Sequence, residues 1–87
     1  MRFQGAVVRE QGVTFGIVIV KPGVLHSPSS RDSMQEFGVQ AFGFMPIVLM
    51  AQNSRGTPTY WGRQDIVNFL SRVPLQCIPW KEYTVTA

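Results

Sequence analysis

The first part of the chain contains two apolar runs that are typical of β-strands, and the second half of the second run is apolar on both faces. Apolar residues dominate 3–8 and 13–20, and the polar segment between them ends in Gly12. Glycine tolerates the positive φ that a tight turn needs, so the two runs predict an antiparallel β-hairpin. Pro22 and Gly23 end the second strand, because proline has no N–H for the ladder and Pro-Gly favours a turn.

The spacing of apolar residues then changes to that of a helix. Met34, Phe37 and Ala41 lie three and four residues apart, which places them on one helical face. The serine-rich segment before them offers side chains that can cap the helix and a proline suited to its first turn. These are Ser27, Ser29 and Ser30 for the cap and Pro28 for the turn. Gly43 and Pro46 bound the far end of the predicted helix.

Residues 45–61 predict a second pair of strands. The run 47–50 is apolar throughout, as expected of a strand that is covered on both faces. The polar turn 53–56 leads to a short returning strand over 57–61. Pro58 indicates that this returning strand lies at an edge of the sheet or stays short.

A second helix follows the returning strand. Its apolar residues recur at i, i+3, i+4 and i+7: Ile66, Phe69, Leu70 and Val73. With Gly62 as the N-cap, Asp65 falls in the first turn, where a carboxylate suits the positive end of the helix. Trp61 and Ile66 then occupy the two positions of a hydrophobic staple. Pro74 stops the helix.

The predicted order of elements is ββαββαβ, with a last strand within 80–86 at an edge of the sheet. Runs of strands interrupted by two amphipathic helices are typical of α+β domains. We therefore predict one α+β domain spanning 1–87, with a mostly antiparallel sheet and two helices on one face.

Composition indicates that part of the surface is covered by a partner. The chain is 45% hydrophobic and 15% charged, whereas roughly 25% charged is typical of soluble domains. Large exposed apolar patches usually mark interaction sites. We therefore predict a non-catalytic binding module that forms a homodimer or a higher homo-oligomer. The predicted interface residues are Trp80, Tyr83 and Val85 in the apolar final segment.

The net charge of +3 raises nucleic acid as another partner. However, no two of the eight lysines and arginines are adjacent, so the sequence holds no basic run that would follow a phosphate backbone. Nucleic-acid binding therefore ranks third among the interpretations.

Cysteine use and hydropathy indicate a cytoplasmic protein. Cys77 is the only cysteine, so an intrachain disulfide is impossible and a reducing compartment fits. The N-terminus carries Arg9 and Glu10, which interrupt any signal-peptide pattern. The longest uncharged run, 37–54, is too polar for a membrane helix of about 20 apolar residues.

Residues with catalytic chemistry are few. His26 and Cys77 are the single histidine and the single cysteine, and they form no spacing that is typical of a metal site. We interpret His26 as a solvated loop residue and Cys77 as a small core residue. The sequence predicts no metal, no cofactor and no named reaction.

The alternative to an interaction module is a small-molecule site, or a minor enzyme, built on the loop 53–63. The first turn of a helix offers free N–H groups and partial positive charge to an anion. Residues from the hairpin and the helix start supply donors and an apolar wall: Arg55, Thr57, Thr59, Tyr60, Trp61, Gly62 and Arg63. Asp65 opposes this interpretation, because its carboxylate occupies the same positive field.

Two segments near the end carry a resemblance to known proteins. Residues 62–70, GRQDIVNFL, and 78–83, IPWKEY, resemble small uncharacterised bacterial proteins carried as single-gene cassettes on mobile elements such as integrons. The resemblance implies a bacterial accessory protein. It implies no activity and no site residues.

Overall fold

The computed structural model describes residues 2–10 and 12–85. Five strands form one sheet: β1 Arg2–Glu10, β2 Val13–Ile19, β3 Ile47–Gln52, β4 Pro58–Trp61 and β5 Lys81–Thr84. The helices are α1 Pro22–Leu25, α2 Pro28–Phe42 and α3 Gln64–Leu70, and a 3₁₀ turn covers Leu75–Cys77. No helix in this described part is long and apolar enough to cross a membrane.

The strands lie in the order β4-β3-β2-β1-β5. All neighbours are antiparallel except β2 and β3, which pair in parallel with Ile17 opposite Val48. A tight turn cannot join parallel strands, and α2 belongs to the long crossover that joins these two. The predicted α+β fold with a mostly antiparallel sheet is confirmed.

Both predicted hairpins are present. The first turns at Gly12, which has a φ of 79°. The second turns between β3 and β4, where the Asn53 Oδ1 accepts hydrogen bonds from the N–H groups of Arg55 and Thr57. As predicted, β4 and β5 are the edge strands, and β4 begins with Pro58.

The start of α2 follows its predicted chemistry. Ser27 is the N-cap, its hydroxyl accepts a hydrogen bond from the Ser30 N–H at 3.4 Å, and Pro28 occupies the first turn. The sequence did not predict α1, a single helical turn within the segment read as a turn and loop. Val24 and Leu25 of this turn pack against the core, which favours a compact local structure there.

The two helices lie on opposite faces of the sheet, and this corrects the prediction of a single face. On the α2 face, Met34 and Phe37 pack against Val18 and Leu49. The α3 face is formed by a second set of buried residues: Phe15, Ile17, Val48, Met50, Ile66 and Leu70. Side chains alternate between the faces of a strand, and both faces of β2 and β3 are apolar, so each face requires a cover.

The start of α3 also differs from the prediction. Arg63, not Gly62, is the N-cap, and it makes no side-chain capping bond. Trp61 packs on the α2 face and Ile66 on the α3 face, so no hydrophobic staple joins them. Gly62 instead lets the chain pass close to β3, because a Cβ there would lie 3.0 Å from a methyl carbon of Val48.

Glycine also brings α2 close to the sheet. A Cβ on Gly38 would lie 2.6 Å from Ile47 Cγ2, and one on Gly16 would lie 2.6 Å from the Phe42 ring. Distances this short force a neighbour to move. Helix propensity alone makes Gly38 a cost to α2, whereas the structure gives this residue a packing role.

Candidate interaction surface

The residues of the predicted ligand loop do not converge on one side of the sheet. Tyr60 and Trp61 are consecutive on β4, and Tyr60 packs with the α3-face core while Trp61 packs with the α2-face core. Arg55 lies in the turn before β4 and Arg63 after it, at opposite ends of that strand. Binding at these residues stays a prediction.

Arg63 already has an anionic partner within the chain. Its Nε and Nη2 donate hydrogen bonds of 2.8 and 2.7 Å to the two carboxylate oxygens of Asp65. Hydrogen bonding from Arg63 lowers the pKa of the Asp65 carboxyl to about 2. An anionic ligand at this helix start must therefore compete with Asp65, as the sequence indicated.

The two aromatic residues of the loop differ in their polar contacts. The guanidinium of Arg31 lies 4.8 Å from the centre of the Trp61 ring, a cation–π distance. The Tyr60 hydroxyl is buried and has no hydrogen-bond partner within the described residues, and this burial raises the pKa of Tyr60. Thr57 and Thr59 remain exposed.

The predicted interface residues hold the edge strand β5 against the rest of the domain. The indole N–H of Trp80 donates to the Leu75 carbonyl at 2.9 Å. Tyr83 stacks on Phe3 with ring centres 5.4 Å apart, and Val85 packs against the same core. Trp80, Tyr83 and Val85 are half-buried within the monomer, and their role in an interface stays a prediction.

The most exposed large apolar side chain in the described residues is one that the sequence interpretation overlooked. Phe44 is fully exposed, while Val7 and Val39 are each 37% exposed. No other large hydrophobic side chain in the described part of the chain is exposed to this extent. We call Val7, Val39 and Phe44 the Phe44 surface.

Backbone contacts bring the three residues to one end of the domain. The Gly43 N–H donates to the Val39 carbonyl at 2.8 Å, which places Phe44 one turn beyond Val39. The Gly16 N–H donates to the Pro46 carbonyl at 2.9 Å, and Gly16 pairs with Val7 across β1 and β2. Phe44 therefore lies near the start of β3, between the end of α2 and the Val7 side of the sheet.

The backbone around Phe44 is fixed by a specific turn. Gly43 is the C-cap of α2, and its φ of 89° is strongly unfavourable for residues with a side chain. The Met45 N–H donates to the Gly43 carbonyl at 2.9 Å. One feature of the sequence could have indicated this exposure. Phe44 directly follows the helix-ending Gly43 and fits the apolar spacing of neither α2 nor β3.

The two reactive side chains lie apart from this surface. His26 is exposed at the end of α1, as predicted, and borders a small pocket of about 130 Å³ with Asn53 and Thr59. Cys77 is exposed, which corrects its prediction as a core residue, because it lies on the outer side of the 3₁₀ turn. Within residues 2–10 and 12–85, no three histidine, cysteine or acidic residues form a metal-binding group.

Comparison with protein-family models, with curated proteins and with solved structures found no match.

Proposed function

We propose that this protein is a non-catalytic binding module that works as a homo-oligomer, with the Phe44 surface as the contact between copies. The observation that carries the proposal is the complete exposure of Phe44 on a backbone held by two hydrogen bonds. Burying a phenylalanine side chain contributes roughly 1.5–3 kcal/mol. Aromatic anchors of this kind dominate the binding energy of many interfaces.

The sequence around Phe44 has the composition of an interface core. The run 37–54 contains no charged residue, and the cores of protein interfaces are depleted of charge. A symmetric dimer would place Phe44 of each copy against the same patch of the other copy. A standard interface takes about 800 Å² from each partner, roughly one seventh of the 5729 Å² of this chain.

The arrangement of charge favours a protein partner over a nucleic acid. Several of the basic side chains already contact protein groups. Arg63 pairs with Asp65, Arg2 lies 3.5 Å from Glu82, and Arg31 covers Trp61. We also propose a cytoplasmic location and, from the resemblance to cassette proteins, a bacterial accessory role.

Sedimentation and light scattering at micromolar concentration test the homo-oligomer. We expect about twice the 9.8 kDa chain mass for the wild type, and a monomer for Phe44→Ser. Arg55→Ser is the matched control, because Arg55 is an exposed turn residue at the other end of β3. A wild type that is monomeric at micromolar concentration, or a Phe44→Ser variant that keeps the oligomer, would overturn the proposal.

A further inference from the structure

A groove of about 430 Å³ lies on the α3 face, away from the Phe44 surface. Its volume falls within the range of small-molecule sites, about 300–1,000 Å³. Four apolar and three amide side chains line it: Ile19, Met50, Leu75 and Trp80, with Gln4, Gln52 and Gln76.

The floor of the groove is a row of side chains across three neighbouring strands. Ile19 of β2 pairs with Met50 of β3. Gln4 of β1 occupies the position next to Ile19, because Gly5 pairs with Val18 in the antiparallel register. These residues lie at the end of the sheet opposite Phe44, because β3 starts at Ile47 and ends at Gln52.

The wall of the groove comes from the segment after α3. Leu75 and Gln76 belong to the 3₁₀ turn, and Trp80 follows it. The hydrogen bond from the Trp80 indole N–H to the Leu75 carbonyl fixes the orientation of the ring. Apolar side chains therefore form most of the floor and wall of the groove, and amide side chains lie at its rim.

The rim has hydrogen-bonding capacity but no charge. None of the seven lining residues is ionisable, so a charged group entering the groove would lose hydration without gaining a partner. The Gln52 Nε2 donates to the Gly56 carbonyl at 3.0 Å, which orients this side chain and leaves its Oε1 as an acceptor. Gln4 and Gln76 are exposed at the rim.

A carboxamide presents a donor and an acceptor side by side. That pattern is complementary to the edge of a heterocycle that also carries both, as when glutamine binds adenine through two hydrogen bonds. Aromatic side chains such as Trp80 stack on flat rings and tolerate different substituents on them. The chemistry of the rim and the chemistry of the wall point to the same class of ligand.

We propose that this groove binds a small, neutral, planar heterocycle with an amide-like edge, the class that includes nucleobases and nicotinamide. The ring lies against Trp80 and Ile19, and its polar edge faces Gln52 and Gln76. The site does not depend on self-association, because it lies on the other face and at the other end of the sheet from Phe44.

Nuclear magnetic resonance titration with adenine and with nicotinamide tests the site. We expect the Trp80 indole N–H and the Gln52 and Gln76 side-chain amides to shift at millimolar ligand. A Trp61→Phe variant assigns the indole signal, because the chain has two tryptophans. Benzoate and adenosine monophosphate carry a charge that the rim cannot pair. We therefore expect benzoate to bind more weakly than nicotinamide, and adenosine monophosphate more weakly than adenine.

Gln76→Leu and Gln40→Leu form the matched pair of variants. Both glutamines are exposed, but Gln40 lies on α2 and on the other face. Losing one hydrogen bond should weaken ligand binding about fivefold in Gln76→Leu, with no change in Gln40→Leu. No shift at about 10 mM of either ligand, or equal affinity in the two variants, would overturn the proposal. Repeating the titration with Phe44→Ser separates this result from the oligomeric state.

Discussion

The two faces of the sheet use the same two central strands but are covered by helices of very different length. The α2 face carries a helix of 15 residues whose first turn is capped by Ser27. The α3 face carries a helix of seven residues whose N-cap, Arg63, makes no side-chain capping bond. Because helices rise about 1.5 Å per residue, α3 spans only about 10 Å. The 3₁₀ turn and Trp80 pack against the same core beyond it. The uncovered end of that face is the amide-rimmed groove.

The aromatic contacts also differ between the two faces. On the α2 face, Phe3 lies 5.1 Å from Phe37 and 5.5 Å from Phe42, and Tyr83 joins this cluster. On the α3 face, Phe15 and Phe69 meet edge to face at the longer distance of 6.4 Å. The α2 face is thus packed through a cluster of aromatic rings, whereas the α3 face combines a largely aliphatic core with an open groove.

The largest expected effect is the loss of Phe15, a buried residue of the α3-face core. Phe15 is 1% exposed, and Phe15→Ala should lower the free energy of unfolding by roughly 3–5 kcal/mol because it leaves a cavity. Urea denaturation measures this change. Asn68→Ala is the control, because Asn68 is exposed on α3. Similar losses for the two variants would contradict the assignment of the buried face.

A smaller effect tests the close approach of α2. Alanine is a better helix former than glycine, yet Gly38→Ala should lower the free energy of unfolding by about 1–3 kcal/mol. The added methyl would lie 2.6 Å from Ile47. Gly23→Ala is the matched control, since no atom lies within 4 Å of its Cβ position. Stabilisation by Gly38→Ala would show that the helix can move away from the sheet at little cost.

The cap of α2 should contribute less than its packing. Ser27→Ala removes the hydroxyl that accepts from the Ser30 N–H, and it should cost about 1 kcal/mol in thermal or urea unfolding. Ser33→Ala, at an exposed position within the same helix, should be nearly neutral. If the two variants have the same free energy of unfolding, the Ser27 cap contributes little to the stability of α2.

The smallest effect concerns the ion pair at the start of α3. Asp65 has a pKa lowered from 3.8 to about 2, so the folded state holds this proton more weakly than the unfolded state. The resulting stabilisation is present above pH 3.8 and is lost as the pH falls through about 2. Arg63→Ala should return the Asp65 pKa toward 3.8 in a carboxyl titration followed by NMR. An unchanged pKa would mean that Arg63 is not the cause.

Local chemistry was enough to predict most elements of this fold. The two apolar runs predicted β1 and β2, the proline and serine positions predicted the start of α2, and Pro58 indicated a strand that lies at an edge or is short. Each of these features depends on residues that are close in sequence. The face on which each helix packs depends instead on distant strands, so the spacing within a helix carries no information about it.

The candidate surfaces were harder to predict for the same reason. The exposure of Phe44 depends on the turn at Gly43 and on where α2 ends against the sheet. The groove depends on the difference between the length of α3 and the length of the strands beneath it. The sequence interpretation favoured Trp80 and Tyr83 as interface residues because of their type. In the monomer Tyr83 stacks on Phe3 and the Trp80 indole bonds to the Leu75 carbonyl of the 3₁₀ turn, and the role of both in an interface stays a prediction.

The two edges of the sheet restrict how copies of this chain can join. Each edge strand has only four residues, β4 begins with Pro58, and β5 begins with the charged residues Lys81 and Glu82. Short strands, proline and charge all hinder the addition of a further strand. Strand-by-strand growth into fibrils is therefore disfavoured at both edges, even though the central strands are rich in apolar and β-branched residues. Copies that associate at high concentration therefore meet through side chains and not through backbone pairing. A closed symmetric arrangement then limits the number of copies in the assembly.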